Sequence, residues 1–416
     1  MRKLLLARIC LCVACLLVSR AGAATTYTTN GASTDFEADT WGGPLVADMV
    51  SGDTMNIRAG NAIILDNATA SYTGGTFNVG NTPGDGSFGT FTLNSGTYTT
   101  SAGINLGGSG AYGVVNVNGG RLEAGTTFYV GASSSAEGSS LVVDGGKVES
   151  GGLFAINYSG GNASVRLESG NLTVGGEFRI GNVNGTRGTF TMNGGNVKAT
   201  TSITLAANTG ANNDTSGYAY INGGVVETAR LIVGSSAAGA TGTGYLRVGP
   251  GAAIIINGSQ SNELRATGTI EFKLGAASTA ENYKGITITN TGSNPFGVAA
   301  GAKIMADLSD FQGTIAGDTV FTLLELDAST AAVGTAQKTN ATDALQAVAA
   351  AQYTDGAFQY DYTGALSWAS DWKSLTLTVH TTVTPIPEPA ATAVLLGFLV
   401  LAVFWVHRKG AKDPIR

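Results

Sequence analysis

Cysteine, histidine, proline and charge are all scarce in this chain of 416 residues. Its three cysteines, Cys10, Cys12 and Cys15, cluster near the start, and one of its two histidines, His407, lies near the other end. Between residues 24 and 386 there is no cysteine and one histidine, His380. That stretch therefore has no disulfide, no thiol nucleophile and no cysteine-bearing zinc site. Proline occurs 8 times and glycine does not recur at every third position, which excludes collagen. Charged residues are 12% of the chain, about half the usual share. A hydrophobic share of 43% is too high for ordinary disorder. A net charge of -6 excludes a strongly basic nucleic-acid binder. Residues 24–386 hold 15 basic and 27 acidic side chains, a balance of -12.

Glycine is abundant, with 61 residues, roughly twice the usual share. Together with Thr, Val, Asn and Ser it points to many short strands joined by tight turns. The glycines are also periodic. Gly96, Gly120, Gly146, Gly170, Gly195, Gly224 and Gly251 each close a unit, with successive steps of 24, 26, 24, 25, 29 and 27. A second marker moves with the first. Gly107, Gly131, Asn157, Gly181, Ala206 and Gly234 follow Leu106, Val130, Ile156, Ile180, Leu205 and Val233. Longer units gain their extra residues in one place, as at Thr209–Ser216, where a surface loop absorbs insertions.

Units of about 25 residues, each with three short alternating segments and no helical one, predict an all-β fold. Each unit makes one coil of a parallel β-helix, a β-solenoid. Alternation sends Phe128, Val130, Leu141, Val143, Phe178, Ile180, Phe190 and Met192 inward. It sends Arg121, Glu123, Arg166 and Glu168 outward. The alternative is a sandwich of hairpins, since Asn193-Gly194 and Asp144-Gly145 also suit hairpin turns; hairpins, however, need no constant period. The coils are expected over residues 76–251. Residues 24–75 form an N-terminal cap with first coils near Asn56–Gly75. Residues 252–380 form a β-rich C-terminal cap or domain, with strands at Thr269–Leu274, Gly285–Thr291, Thr319–Leu326 and Ser374–Val379 and a short helix at Thr342–Ala351.

The coils offer little chemistry. No catalytic residue, metal ligand or cofactor site is assigned. The acidic residues are spread thinly, and none forms a close Asp-x-Asp or Asp-Asp pair. Glu123, Glu149 and Glu227 occupy equivalent places, as a polar face or a weak cation ladder. Gly107–Gly110 lacks the lysine and following helix of a phosphate loop. His380 has no evident catalytic partner. Trp368 and Trp372 stand as candidates for stacking on sugar rings, against a role in the core.

Both ends differ from the middle. Met1-Arg2-Lys3, the apolar run Leu4–Val18 and the small residues Ala21 and Ala23 read as a secretory signal over residues 1–23, cleaved after Ala23. At the other end Pro387-Glu388-Pro389 closes a linker over 381–389. Ala390–Val406 is 17 residues without a charge, the lower limit for a transmembrane helix. Residues 407–416 form a basic tail with Arg408 and Lys409, of the kind retained on the cytoplasmic side.

The motif Pro387-Glu388-Pro389, the apolar stretch and the basic end together resemble the PEP-CTERM sorting signal of exported bacterial proteins, over about 32 residues. The tail after Arg408 is longer and less arginine-dense than that pattern. The resemblance implies an exosortase as partner, processing of the tail, and a link to exopolysaccharide and biofilm. Before processing, the tail would hold the chain in the inner membrane. The repeats are similar to the β-helix passengers of large bacterial surface proteins. The expected protein is thus exported, non-enzymatic and structural, placed in the envelope, on the cell surface or in the extracellular matrix. The competing readings are a β-helix polysaccharide lyase or hydrolase, and a glycan-binding adhesin.

Overall fold

Triplets such as Phe128–Val130 and Phe154–Ile156 are strands of three residues, too short to be stable alone. Each gains its partners from the next turn of the chain. Phe128 lies in parallel register on Phe154, and Phe154 on Phe178, steps of 26 and 24 residues. The computed structural model describes residues 25–29, 35–37, 49–81, 88–108, 111–133, 137–159, 161–182, 185–207, 214–235, 239–289, 295–327, 331–386 and 389–410. Ala21, Ala23, Pro387 and Glu388 lie outside them, and Pro389 and Lys409 fall in the C-terminal helix.

Eleven strands of three or four residues form one parallel sheet in chain order, from Thr26–Thr28 to Phe296–Val298. Longer strands make the other two sides. Ser140–Ser150 bends at Asp144-Gly145-Gly146, so that its first half pairs with Tyr112–Val117 and its second with Arg121–Ala124. The fold is an all-β parallel β-solenoid of about eight turns, each of about 26 residues. Parallel pairing throughout the turns excludes the hairpin sandwich.

The interior is built from columns. Phe77, Ile104, Phe128, Phe154, Phe178, Ile203 and Leu231 follow one another in register, and all are buried. The eight residues expected inward are all buried. Burying one phenylalanine contributes roughly 1.5–3 kcal/mol, and the columns repeat that contribution at every turn. The second glycine marker is a corner in the left-handed region: Gly107, Gly131 and Gly181 have φ of 80°, 75° and 75°. Asn157 and Ala206 hold the same corner at 65° and 60°, at a steric cost that glycine avoids.

Parallel pairing does not stop at Gly251. Asn262–Leu264 lies on Phe296–Val298, Gly268–Lys273 on Lys303–Asp307, and Gly285–Ile288 on the end of Gly317–Leu326. Only then does the direction change. Gly317–Leu326, Ser374–Pro385, Phe358–Trp368 and Ala351–Thr354 pair antiparallel in that order. These strands occupy the edge where another turn would stack. At the opposite end Phe36 is fully buried, with its ring 4.9 Å from Tyr72 and 5.8 Å from Tyr98.

Two expectations need correction. The short helix is Lys338–Asp343, preceded by a 3-10 turn at Thr335–Gln337, rather than Thr342–Ala351. The chain leaves the helix because Ala344 and Gln346 are drawn into backbone hydrogen bonds with Ile304, at 2.8 and 2.9 Å. The second correction concerns the transmembrane helix at 390–406. The segment is helical, Pro389–Gly410, but among the described residues no helix is long and apolar enough to cross a membrane. The side chains described on it run from 397 to 408 and end in His407 and Arg408. The uncharged run of this segment, Ala390–Val406, is 17 residues, short of the roughly 20 a crossing needs.

Candidate functional site

The outward positions of the eleven-stranded sheet also form a column, between the two buried ones. Its rungs are Asn56, Asn78, Asn105, Tyr129, Ala155 and Arg179. Asn105 Nδ2 donates to Asn78 Oδ1, and Asn78 Nδ2 to Asn56 Oδ1, both at 2.8 Å. Asn81 Nδ2 also donates to Asn56 Oδ1, at 3.2 Å. Asn78, Asn81 and Asn105 each have two amide hydrogens and give one to the ladder, while Asn56 accepts through its Oδ1.

Above the ladder two aromatic rings meet. Tyr129 and Tyr158 stack at 3.8 Å between centroids and 10° between planes. Both are half-buried. Burial, and next a hydrogen bond with Tyr158, push the Tyr129 phenol above its ordinary value, so it stays neutral near pH 7. The amides and rings enclose an open groove of about 610 Å³, within the usual range of roughly 300–1,000 Å³ for small-ligand sites. Gly107 and Gly108 form part of its wall, and among the described residues no charged side chain lines it.

The same face changes character further along. Arg179 pairs with Glu177 at 2.8 Å, and Glu263 is held between Arg230 and Arg265. Burial would raise the Glu263 carboxyl, but the two arginines outweigh it and hold it below the usual carboxylate range.

The expected acidic column exists in part. Glu123 lies in register with Glu149, whereas Glu227 is in register with Lys198. The carboxylates of the column are occupied by cations: Arg121 pairs with Glu123 and Glu149, and Lys147 with Glu149 at 2.8 Å. Burial would raise Glu149, but hydrogen bonds from Lys147 and Arg121 hold it low. Among the described residues no three His, Cys, Asp or Glu are grouped to hold a metal ion.

Trp368 and Trp372 do come together, with ring centroids 6.0 Å apart at 19°. Their surroundings are those of packing. Trp368 Nε1 donates to the Ala341 carbonyl at 3.1 Å, and both rings lie against the core. Lys338 Nζ sits 5.1 Å over the Trp372 ring. His380 has a partner that its sequence neighbourhood does not show: its Nδ1 lies 2.7 Å from Asp318 Oδ1, across antiparallel strands. This pair is open to solvent, with side chains 58% and 65% exposed.

On the C-terminal helix Phe398, Leu401, Phe404 and Trp405 are each more than 60% exposed, an apolar surface of the kind that marks a contact site. Arg408 at its end is exposed. The chain matches no protein-family model, no curated protein and no solved structure.

Proposed function

We propose that this chain is an exported bacterial structural protein of the cell surface or extracellular matrix. The observation that supports it best is the uninterrupted parallel stack with filled interior columns. Such a stack is a stiff spacer whose outward rungs display side chains in rows. The turns use charge to tie neighbours together, as in the Arg121, Lys147, Glu123 and Glu149 network, and this favours a mechanical role over hydrolysis or elimination.

Export rests on residues 1–23 and sorting on Pro387-Glu388-Pro389 with Arg408 and Lys409. In this reading the exposed apolar helix holds the chain at the inner membrane until an exosortase processes the tail. The solenoid is then released to the surface, within exopolysaccharide or a biofilm. No cofactor enters this role. The test is the position and mature C-terminus of the protein in cells with and without an exosortase. A shortened C-terminus only in the presence of the enzyme supports the reading. An intact Arg416 in both overturns processing, and retention in the cytoplasm overturns export.

A further inference from the structure

We propose that the groove over Asn78, Asn81, Asn105, Tyr129 and Tyr158 binds an uncharged polysaccharide strand. The argument begins with the chemistry of the lining. A sugar ring has an apolar face of C–H groups and a rim of hydroxyls, each a donor and an acceptor. Recognition needs a flat aromatic surface for the first and closely spaced amides for the second. The groove supplies both on adjacent turns. Tyr129 and Tyr158 are stacked parallel, and the asparagines stand one turn apart in strand register.

The ladder also fixes the amides in advance. Asn78 and Asn105 are held at 2.8 Å to their neighbours, so their orientation costs little on binding. Each retains a second amide hydrogen for a hydroxyl. Successive rungs are about 4.8 Å apart, so a strand laid along the solenoid meets a repeated row of amides.

The ligand class follows from charge. Among the described residues the lining has no Lys, Arg, Asp or Glu, while the same face further along carries Arg179, Glu177, Arg230, Glu263 and Arg265. An acidic polysaccharide would find no cation in the groove, so a neutral one fits it better. The site deepens the proposed surface role and rests on that reading only for the source of the ligand.

The experiment uses the full chain in detergent and titrates cellohexaose, xylohexaose and mannohexaose, with oligogalacturonate as the acidic comparison. The expected result is binding of at least one neutral hexaose, weakened at least about tenfold by Tyr158→Ala, which is about 1.4 kcal/mol. Tyr158→Phe should keep most of the affinity, because it keeps the ring. Asn105→Asp should weaken binding too, and because it also takes the donor from Asn78 Oδ1, thermal unfolding measured on every variant separates lost contacts from lost fold. Failure of all three neutral sugars to bind, tighter binding of oligogalacturonate, or equal affinity in Tyr158→Ala would each overturn the proposal. Binding by a protein that proves cytoplasmic would sink the surface role and leave the groove. Export of a protein that binds none of the three would do the reverse.

Discussion

The turns from Phe77 to Ile203 and those from Leu231 to Phe296 share one inner column but hold it in different ways. In the first group the rungs are Phe77, Ile104, Phe128, Phe154, Phe178 and Ile203, with steps of 27, 24, 26, 24 and 25 residues. In the second the steps grow to 31 and 34, and Asn262 takes a rung with no exposed surface. The backbone bonds differ accordingly. In regular turns the N–H of a rung donates to the carbonyl before the next rung, as Ile104 does to Thr127 and Phe128 to Leu153, both at 2.9 Å. At Leu231 the equivalent carbonyl, Ser261, accepts from Arg230 Nε instead. Asn262 Oδ1 accepts the Leu231 N–H at 2.8 Å, and its Nδ2 donates to the Pro295 carbonyl at 2.8 Å. Where the turn length is kept, apolar volume in register is enough. Where the loops lengthen, a buried amide replaces a missing backbone bond.

The sharpest way to break this comparison is at its apolar end. Phe154→Ala removes a fully buried ring stacked at 4.9 Å on Phe128 and 5.2 Å from Phe178. It should cost about 3–5 kcal/mol, read as a lower midpoint in urea. A loss under about 1 kcal/mol would mean that the column is not what couples the turns.

At the polar end, Asn262→Leu restores an apolar rung and still should destabilise. The Leu231 N–H would be buried without an acceptor, a penalty of about 1–3 kcal/mol. Amide exchange should quicken first at Leu231. A variant as stable as the native chain would show that the amide is dispensable and the contrast superficial.

A smaller effect of opposite sign is expected inside the regular turns. Asn157 and Ala206 occupy corners that glycine fills elsewhere. Asn157 is also fully buried, with neither side-chain nitrogen nor oxygen hydrogen-bonded. Asn157→Gly should stabilise by about 1–2 kcal/mol, and Ala206→Gly by about 1 kcal/mol or less, since glycine also loses more chain entropy. Differential calorimetry on the two variants checks both, and a lower melting temperature for either would count against a strained corner.

These exceptions also mark how far the sequence could be read. The period was legible because its causes are local: a left-handed corner at Gly107 and Gly131, and alternation around Phe128 and Val130. Asn157 and Ala206 could be placed in the marker column because their neighbours Ile156 and Leu205 kept the count. The solenoid past Gly251 was not legible, since turn length is set by loops and Asn262 breaks the apolar column. The groove was hidden for another reason. Asn78, Asn105 and Tyr129 look like any polar surface until strand register places them on one line, and Tyr158 reaches them from a neighbouring turn. Trp368 and Trp372 were conspicuous by residue type, yet type alone does not separate a ring that packs from a ring that binds. His380 and Asp318 are 62 residues apart, and only antiparallel pairing joins them.

The smallest expected effect uses acidity to separate two halves of one outer face. The Asn56, Asn78 and Asn105 ladder has no titrating group, whereas Glu263 lies between Arg265 at 2.7 Å and Arg230. Glu263 is held below the usual carboxylate range in the folded chain. A carboxyl with a lowered folded value adds stability that is fully present above its unfolded value, near pH 4.3, and is lost as pH falls through the folded one. Its side chain is 33% exposed, so solvent screening limits the contribution to about 1 kcal/mol. Stability should therefore fall below about pH 4.5 in the native chain. Glu263→Gln should flatten part of that fall and leave stability near pH 7 lower by a similar amount. Glu149, held low by Lys147 and Arg121, supplies a second acid-sensitive contribution, which Glu263→Gln leaves intact. Urea midpoints measured from pH 7 to pH 3 for the native chain, Glu263→Gln and Asn78→Ala test this. Asn78→Ala should lower the midpoint equally at every pH. If its loss grew toward low pH as that of an ion pair shrinks, or if Glu263→Gln kept the native pH profile, the division of the face into a neutral and a charged half would not describe its energetics.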